Sequence, residues 1–260
     1  MSINPNIFKA YDVRGLYPQE FDEDAGYRIA RAAAVFLKGK TILVAMDNRD
    51  SSPSLKEAVI RGLAEEGVAI IDAGVATTPM FYFAVYDSGA DGGIMVTASH
   101  NPPHYNGLKI VGKTAMPIGE ASGLLTIKEI ACANEAEAQK TDVVPSVQSA
   151  DFLTKYVDFL TKDARVPKIR IVVDAACGPS GAIISAVAER VHIEIISLCF
   201  APCAVRIHEA DPLKDANTRD LAEAIVVQGA DMGIALDGDG DRAFFFDNEG
   251  KRVPSHAIAS

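Results

Sequence analysis

The chain reads as an α/β protein, because short apolar runs of strand type alternate with helix-like segments from end to end. Two of the apolar runs open directly into loops dense with functional groups. Residues 93–97 lead into Thr97-Ala98-Ser99-His100-Asn101-Pro102-Pro103, and residues 232–236 lead into Asp237-Gly238-Asp239-Gly240-Asp241-Arg242. The length, 260 residues of which 48% are apolar, suits about two domains of ~100–200 residues each.

The elements follow in order. Residues 22–38 predict an amphipathic helix with Ile29, Ala33, Phe36 and Leu37 on one side and Gly39 as its stop. Residues 41–46 predict a buried strand, followed by the polar loop Asp47-Asn48-Arg49-Asp50-Ser51. Ser52 is an N-cap candidate with Pro53 at the first helical position; Leu55, Val59 and Leu63 then repeat every four residues, and Gly67 ends the helix. A strand at 68–72, a helix from Thr78-Pro79 to Tyr86, strands at 93–97 and 107–111 and a helix over 121–138 come next. Residues 141–149, with Pro145, read as a connector.

A second unit begins with a helix over 151–161 whose Phe152, Tyr156 and Phe159 face one way. It continues through a strand at 169–174, the turn Gly178-Pro179-Ser180-Gly181, a helix at 182–190 and a strand at 193–198. A helix near 217–228 and the strand at 232–236 follow. Residues 243–246 and 251–253 flank Asp247-Asn248-Glu249-Gly250 as a hairpin. The two domains are expected at 1–145 and 150–255, with 256–260 opening an Ala-rich helix of a third, so that more chain is expected beyond it.

Composition excludes several classes of function. The net charge is -10, from 35 acidic and 25 basic residues, which argues against nucleic acid as a partner; an anionic substrate held by a local Arg/Lys cluster stays open. No stretch reaches the ~18 uncharged apolar residues of a membrane span, and Met1-Ser2-Ile3-Asn4-Pro5 has neither the basic nor the apolar region of a signal peptide. Cys132, Cys177, Cys199 and Cys203 show no CxxC spacing, and no His stands near Cys199 and Cys203 in the sequence. Zinc is therefore not expected; free thiols in a reducing cytoplasm are.

The two loops carry the chemistry. Asp237, Asp239 and Asp241 alternate, and Gly238 and Gly240 let the backbone curl so that three carboxylates turn toward one point. Such carboxylates repel unless a cation offsets them, and oxygen-only ligands suit Mg²⁺, Ca²⁺ or Mn²⁺. An EF-hand would need Gly and Glu where Arg242 and Asn248 stand. Ser99 follows a run of small residues and is expected exposed at a strand tip; no Gly-x-Ser-x-Gly elbow surrounds it. His100 adjoins Ser99, but successive side chains diverge. Lys109 returns on the next strand toward the same site. Arg14, in Tyr11-Asp12-Val13-Arg14-Gly15, reads as a loop arginine, either solvated or a bidentate phosphate contact.

With these residues in view, nearly the whole chain resembles, collinearly, the alpha-D-phosphohexomutase (phosphoglucomutase/phosphomannomutase) family. Tyr11 to Gly15 is similar to its arginine motif, Thr97 to Pro102 to its phosphoserine loop, Asn106-Gly107-Leu108-Lys109 to its lysine motif, and Asp237 to Arg242 to its metal loop. His208 and Asp211-Pro212-Leu213 resemble its His-x-x-Asn/Asp-Pro segment. The resemblance implies two three-layer α/β/α domains with mixed sheets, as in the N-terminal half of such enzymes. It implies an isomerase that interconverts hexose 1- and 6-phosphates through a phosphoserine at Ser99 and a hexose 1,6-bisphosphate. One Mg²⁺ would sit on Ser99, Asp237, Asp239 and Asp241; Arg14, Arg242, His100 and Lys109 would stabilise transferring charge, with Lys109 as base. Tyr11, Arg14 and Lys109 would meet substrate. The family's sugar-recognising third-domain loop and phosphate-gripping fourth-domain loop do not occur here, so glucose and mannose are not distinguished. Lys9 stands where Arg is common, and Asp174-Ala175-Ala176-Cys177-Gly178 replaces a Gly/Asn-rich turn. Two competing readings are a non-catalytic metal- or phosphosugar-binding module and a phosphatase of aspartyl-phosphate type. The latter wants Asp-x-Asp where Asp47-Asn48-Arg49 stands.

Overall fold

The computed structural model describes residues 3–133, 146–201 and 208–258. They fall into two compact units. The first comprises Met1–Ala76, Met80–Ala98 and Pro103–Phe152; the second comprises Thr77–Pro79, Ser99–Pro102 and Leu153–Ser260.

The first unit runs β1 (Val13–Leu16), α1 (Glu23–Leu37), β2 (Thr41–Met46), α2 (Ser52–Glu65), β3 (Ala69–Val75), α3 (Thr78–Ser88), β4 (Gly92–Val96), β5 (Tyr105–Gly112), α4 (Leu124–Ala133) and β6 (Val147–Ser149). Its sheet has the order β1-β5-β4-β2-β3-β6. β2, β3, β4 and β6 are parallel; β5 is antiparallel to β4 and to β1, so the sheet is mixed. The central strands are apolar throughout because both sheet faces are covered. Ile42, Val44, Ile94 and Val96 join one core with Ile29 of α1, Leu55 and Leu63 of α2 and Ile127 of α4. Phe81 and Val85 of α3 press on Gly93, where any side chain would collide with them. The alternation of the strand residues thus feeds two separate helix layers.

Local chemistry sets the ends. Asp22 Oδ1 caps α1 by accepting from Ala25 N (2.9 Å). The expected stop at Gly39 falls one residue earlier: Lys38 takes the left-handed conformation (φ 51°) and donates its N–H to Ala34 O. The cap of α2 shifts too. Ser51 holds the N-cap position, and Ser52 Oγ instead donates to Asp47 Oδ1 (2.5 Å). The connector reading of 141–149 is corrected at its end, since Val147–Ser149 pairs with β3 from Ile70 to Asp72 and extends the sheet edge. The rest of that segment, and the predicted helix beyond Ala133, lie outside the described residues.

The second unit runs α5 (Leu153–Thr161), β7 (Arg170–Asp174), α6 (Ser180–Val191), β8 (Glu194–Leu198), α7 (Arg219–Gln228), β9 (Met232–Leu236), β10 (Ala243–Phe246) and α8 (Ser255–Ile258). Its sheet is β10-β9-β7-β8, with β7 parallel to both neighbours and β10 antiparallel to β9. Val172, Ala235 and Phe246 form one core with Leu221 and Ile225 of α7. Three expectations need correction. α6 starts at Ser180, because Gly178 and Pro179 alone make the turn. Phe159 does not share the burial of Phe152 and Tyr156: it is 63% exposed, and within α5 the buried residues are Tyr156 and Val157. Residues 251–253 add only one bridge, Phe246 to Arg252, rather than a strand. Among the described residues, no helix is long and apolar enough to cross a membrane.

Cys177 is disulfide-bonded, whereas Cys132 and Cys199 are free. That corrects the free-thiol reading and removes its support for a reducing compartment. Cys203 lies outside the described residues.

Candidate active site

The acidic loop hangs from the carboxyl end of β9, where parallel strands leave backbone groups open to ligands. Asp237 N donates to Arg242 O (3.2 Å) and Gly240 N to Asp237 O (3.2 Å), so the hexapeptide closes on itself. Gly240 has φ +72°, which an L side chain rarely adopts. A Cβ at Gly238 would lie 2.5 Å from Ser99 O, so glycine is required for the two loops to meet.

The curl brings carboxylate oxygens of Asp237, Asp239 and Asp241 within 4.8 Å of one another. Asp237 and Asp239 are fully buried and Asp241 faces solvent. Burial first, then the charges of Asp239 and Asp241, push the Asp237 carboxyl up to about 7. This crowding of hard oxygen donors in a buried turn fits a divalent cation of the Mg²⁺ class. Thr78 Oγ1 steadies the site by donating to Asp239 Oδ2 (2.5 Å), and Thr78 N donates to Asp239 O (2.8 Å). Sequence reasoning missed Thr78. Its only local signal is a Thr-Pro helix start, and 161 residues separate it from Asp239.

Ser99 belongs to this unit and meets the loop directly. Its Oγ donates to Asp237 Oδ2 (2.9 Å) and accepts from Arg242 Nη2 (3.3 Å). The expectation of an exposed hydroxyl is corrected: Ser99 is 3% exposed, because the acidic loop covers it. Its φ of 51° is left-handed for a non-glycine residue, a strain of order 1–2 kcal/mol that the surrounding bonds hold. That twist also corrects the expected divergence of neighbours. His100 Nδ1 lies 3.4 Å from Ser99 Oγ and pairs with Arg242 Nη2. Arg242 Nε adds ion pairs to Asp237 (3.4 Å) and Asp241 (3.7 Å). One hydroxyl is thus held between a carboxylate and a guanidinium, a place for a group that changes charge.

Arg14, Lys109 and Tyr11, which the sequence also singles out, lie in the first unit. Arg14 is no loop arginine: it is buried on β1, opposite Gly107 of β5. Asp12 orients it, with Oδ2 accepting from Nε (3.0 Å) and lying 2.9 Å from Nη2, while Nη1 donates to Thr97 O. Lys109 is half-buried on β5, in register with Met95. Tyr11 is 82% exposed just before β1.

Comparison with known proteins accounts for this arrangement. Residues 5–138 match the family model of phosphoglucomutase/phosphomannomutase alpha/beta/alpha domain I, and residues 150–250 match that of domain II. A phosphomannomutase of Salmonella montevideo is 36% identical, over 98% of this chain and 58% of that protein. One from Escherichia coli K12 is 37% identical, over 96% of this chain and 57% of that protein. A crystal structure of a phosphoglucomutase/phosphomannomutase family protein from Burkholderia thailandensis superposes with a TM-score of 0.87 at 30% identity, over 96% of this chain and 56% of that one. The chain therefore spans a little over half the length of these relatives and covers their two α/β/α domains, I and II. It belongs to the phosphoglucomutase/phosphomannomutase family, the alpha-D-phosphohexomutases.

Proposed function

We propose that this chain carries the phosphoryl-transfer half of a hexose-phosphate mutase, with Ser99 as the phosphoryl carrier. The observation that carries the reading is the position of Ser99 Oγ, 2.9 Å from Asp237 Oδ2 and 3.3 Å from Arg242 Nη2. Transfer breaks the bond between phosphorus and Ser99 Oγ and forms one to a sugar hydroxyl. The proton of that hydroxyl passes to the neutral amine of Lys109 Nζ, the proposed base, and the departing Ser99 Oγ takes the P–O electron pair and a proton from solvent, which restores its hydroxyl. The product is a hexose 1,6-bisphosphate, which returns its other phosphoryl group to Ser99 after reorientation. Arg242 and His100 hold charge on the moving phosphoryl group, and Arg14, oriented by Asp12, adds a bidentate donor. Tyr11, Arg14 and Lys109 are the proposed contacts to the sugar phosphate.

Asp237, Asp239 and Asp241, with Ser99 or its phosphate, would hold one Mg²⁺, which supplies Lewis-acid neutralisation of the phosphate oxygens. Residues 1–145 and 150–255 are the two domains proposed to carry this chemistry. The substrates, taken from the names of the relatives, are hexose phosphates, and recognition of the distal phosphate is assigned to domains of the relatives that this chain does not span. Incubation with isotopically labelled glucose 1,6-bisphosphate and Mg²⁺ tests the reading. Label should appear on the peptide containing Ser99 and vanish in Ser99→Ala. Equal labelling of Ser99→Ala would end the proposal.

A further inference from the structure

A second constellation in the second unit lies outside the machinery above. At the carboxyl end of β7, Asp174 meets Cys199 and His208, and one ligand atom from each lies within 4.8 Å of the others. His208 Nε2 is 2.8 Å from Asp174 Oδ2, and Cys199 Sγ is 3.8 Å from His208 Nε2. In sequence Asp174 is 34 residues from His208 and Cys199 is nine from it; the fold brings the three together.

We infer that Asp174, Cys199 and His208 form a second metal site, selective for zinc or a similar borderline-soft divalent ion. Three observations converge on it. The donor set is one imidazole, one thiol that would bind as thiolate, and one carboxylate. Such a mixture favours Zn²⁺ over the Mg²⁺ that an all-oxygen loop selects. The outer contacts already orient the ligands. His208 Nδ1 donates to Glu209 O (2.8 Å), so that Nε2, which here donates to Asp174 Oδ2, is the nitrogen a metal would take once its proton leaves, and Asp174 Oδ1 accepts from Ala176 N (2.8 Å), which leaves Oδ2 facing the site. The spacing also fits. Tetrahedral zinc places its ligand atoms about 3.3–3.7 Å apart, from bonds of ~2.0 Å to N and O and ~2.3 Å to S. The thiol contact at 3.8 Å must close by about 0.3 Å, and the His208–Asp174 contact at 2.8 Å must open by about 0.5 Å.

The backbone is committed to this corner. Ala176, Cys177 and Cys199 all adopt positive φ (49°, 54° and 52°), and Cys177 N donates to Cys199 O (2.7 Å). The left-handed turn at Ala176 aims its N–H at Asp174. Cys177 is consumed by its disulfide and is not a ligand. Asp174 is buried, whereas Cys199 and His208 are half-buried, so a fourth ligand can enter from solvent as water. Three protein ligands and one open position is the arrangement of zinc sites that bind or activate a small molecule. On binding, Cys199 Sγ and His208 Nε2 release their protons to solvent, and no redox partner is needed.

Cobalt(II), a spectroscopic stand-in for zinc, tests the site in the full 260-residue chain under non-reducing conditions. The wild type should show a thiolate-to-cobalt charge-transfer band with the visible bands of four-coordinate cobalt. Cys199→Ser should lose the charge-transfer band, and His208→Ala should weaken binding at least about 100-fold. Cys132→Ser and Asp239→Asn should keep the band, which separates this site from the other free thiol and from the acidic loop. Circular dichroism reports whether each variant folds. A second measurement uses only the wild type: zinc, but not magnesium, should slow iodoacetamide alkylation of Cys199 at least about tenfold, with Cys132 unaffected. A wild type without the band, a band that survives in Cys199→Ser, or equal alkylation of Cys199 with and without zinc would each overturn the proposal.

Discussion

Two neighbouring strands of the second sheet, β7 and β9, end in carboxylates, and the comparison of those ends is instructive. Asp174 closes β7 in register with Ala235 of β9, two residues before Asp237. At the β9 end the three carboxylates come from one hexapeptide and all donors, the proposed Ser99 Oγ included, are oxygens. At the β7 end each donor comes from a different segment and each is a different element. The first end concentrates charge and pushes Asp237 upward through burial and like charges. The second end neutralises charge, because the Asp174 hydrogen bond raises the His208 pKa and holds the imidazole beside the carboxylate. One strand end thus gathers three carboxylates around a single guanidinium, Arg242, and the other pairs one carboxylate with one imidazole.

The comparison can be broken most forcefully at Ser99. Ser99→Ala should remove labelling from bisphosphate and lower any phosphoryl transfer by on the order of 10³-fold or more, because the carrier itself is gone. The fold and the cobalt signature at Cys199 should persist. Next in size is Asp239→Asn, which keeps the shape and an acceptor for Thr78 but removes one charge. Calorimetry should show Mg²⁺ affinity falling about 10–100-fold, and unchanged affinity would reduce the loop to a turn.

Gly238→Ala is third. The added Cβ meets Ser99 O at 2.5 Å and Ala210 Cβ at 3.2 Å, so the cost should be about 1–3 kcal/mol in thermal or denaturant unfolding. Loss of the Ser99–Asp237 contact should accompany it, and an unshifted transition would show that the loops do not pack as described.

The smallest effect is a pH dependence at the β7 end. Asp174 raises the His208 pKa above its ordinary value, against a partial lowering by burial. A folded-state value above the unfolded one means that the imidazolium stabilises the fold. That stabilisation is complete below the unfolded value of about 6.5 and is lost as pH rises through the folded value. In wild type, melting temperature should therefore show no loss from this pair below about pH 6.5 and decline slightly as pH rises from there through the folded value, and the decline should shrink in His208→Ala. An identical profile in both would show that the pair does not couple to folding.

The same contrast explains what the sequence could reveal. β2 and β9 were legible residue for residue, because buried parallel strands read as unbroken apolar runs. The acidic loop was legible because its ligands alternate within six residues. The β7 end was not, since positions 174, 199 and 208 meet only after β7 and β8 pair. Thr78 was missed for the same reason. β6 was missed because its three exposed residues, Val147, Gln148 and Ser149, form no apolar run and are too few to show an alternation. Burial of Ser99 and its turn toward His100 depend on a positive φ that no side-chain pattern announces. Arg14 looked solvated because a strand as short as β1 gains its burial from the pairing with β5.

The central claim is that Ser99 carries the phosphoryl group. Intact mass measurement with peptide mapping, on protein purified from cells and again after exposure to glucose 1,6-bisphosphate, addresses it most directly. The account predicts a single added phosphoryl group, located on Ser99 within the peptide that spans Thr97 to Pro102 and increased by the bisphosphate. Phosphate found only at other residues, or a Ser99 that stays unmodified after exposure to the bisphosphate and Mg²⁺, would contradict it.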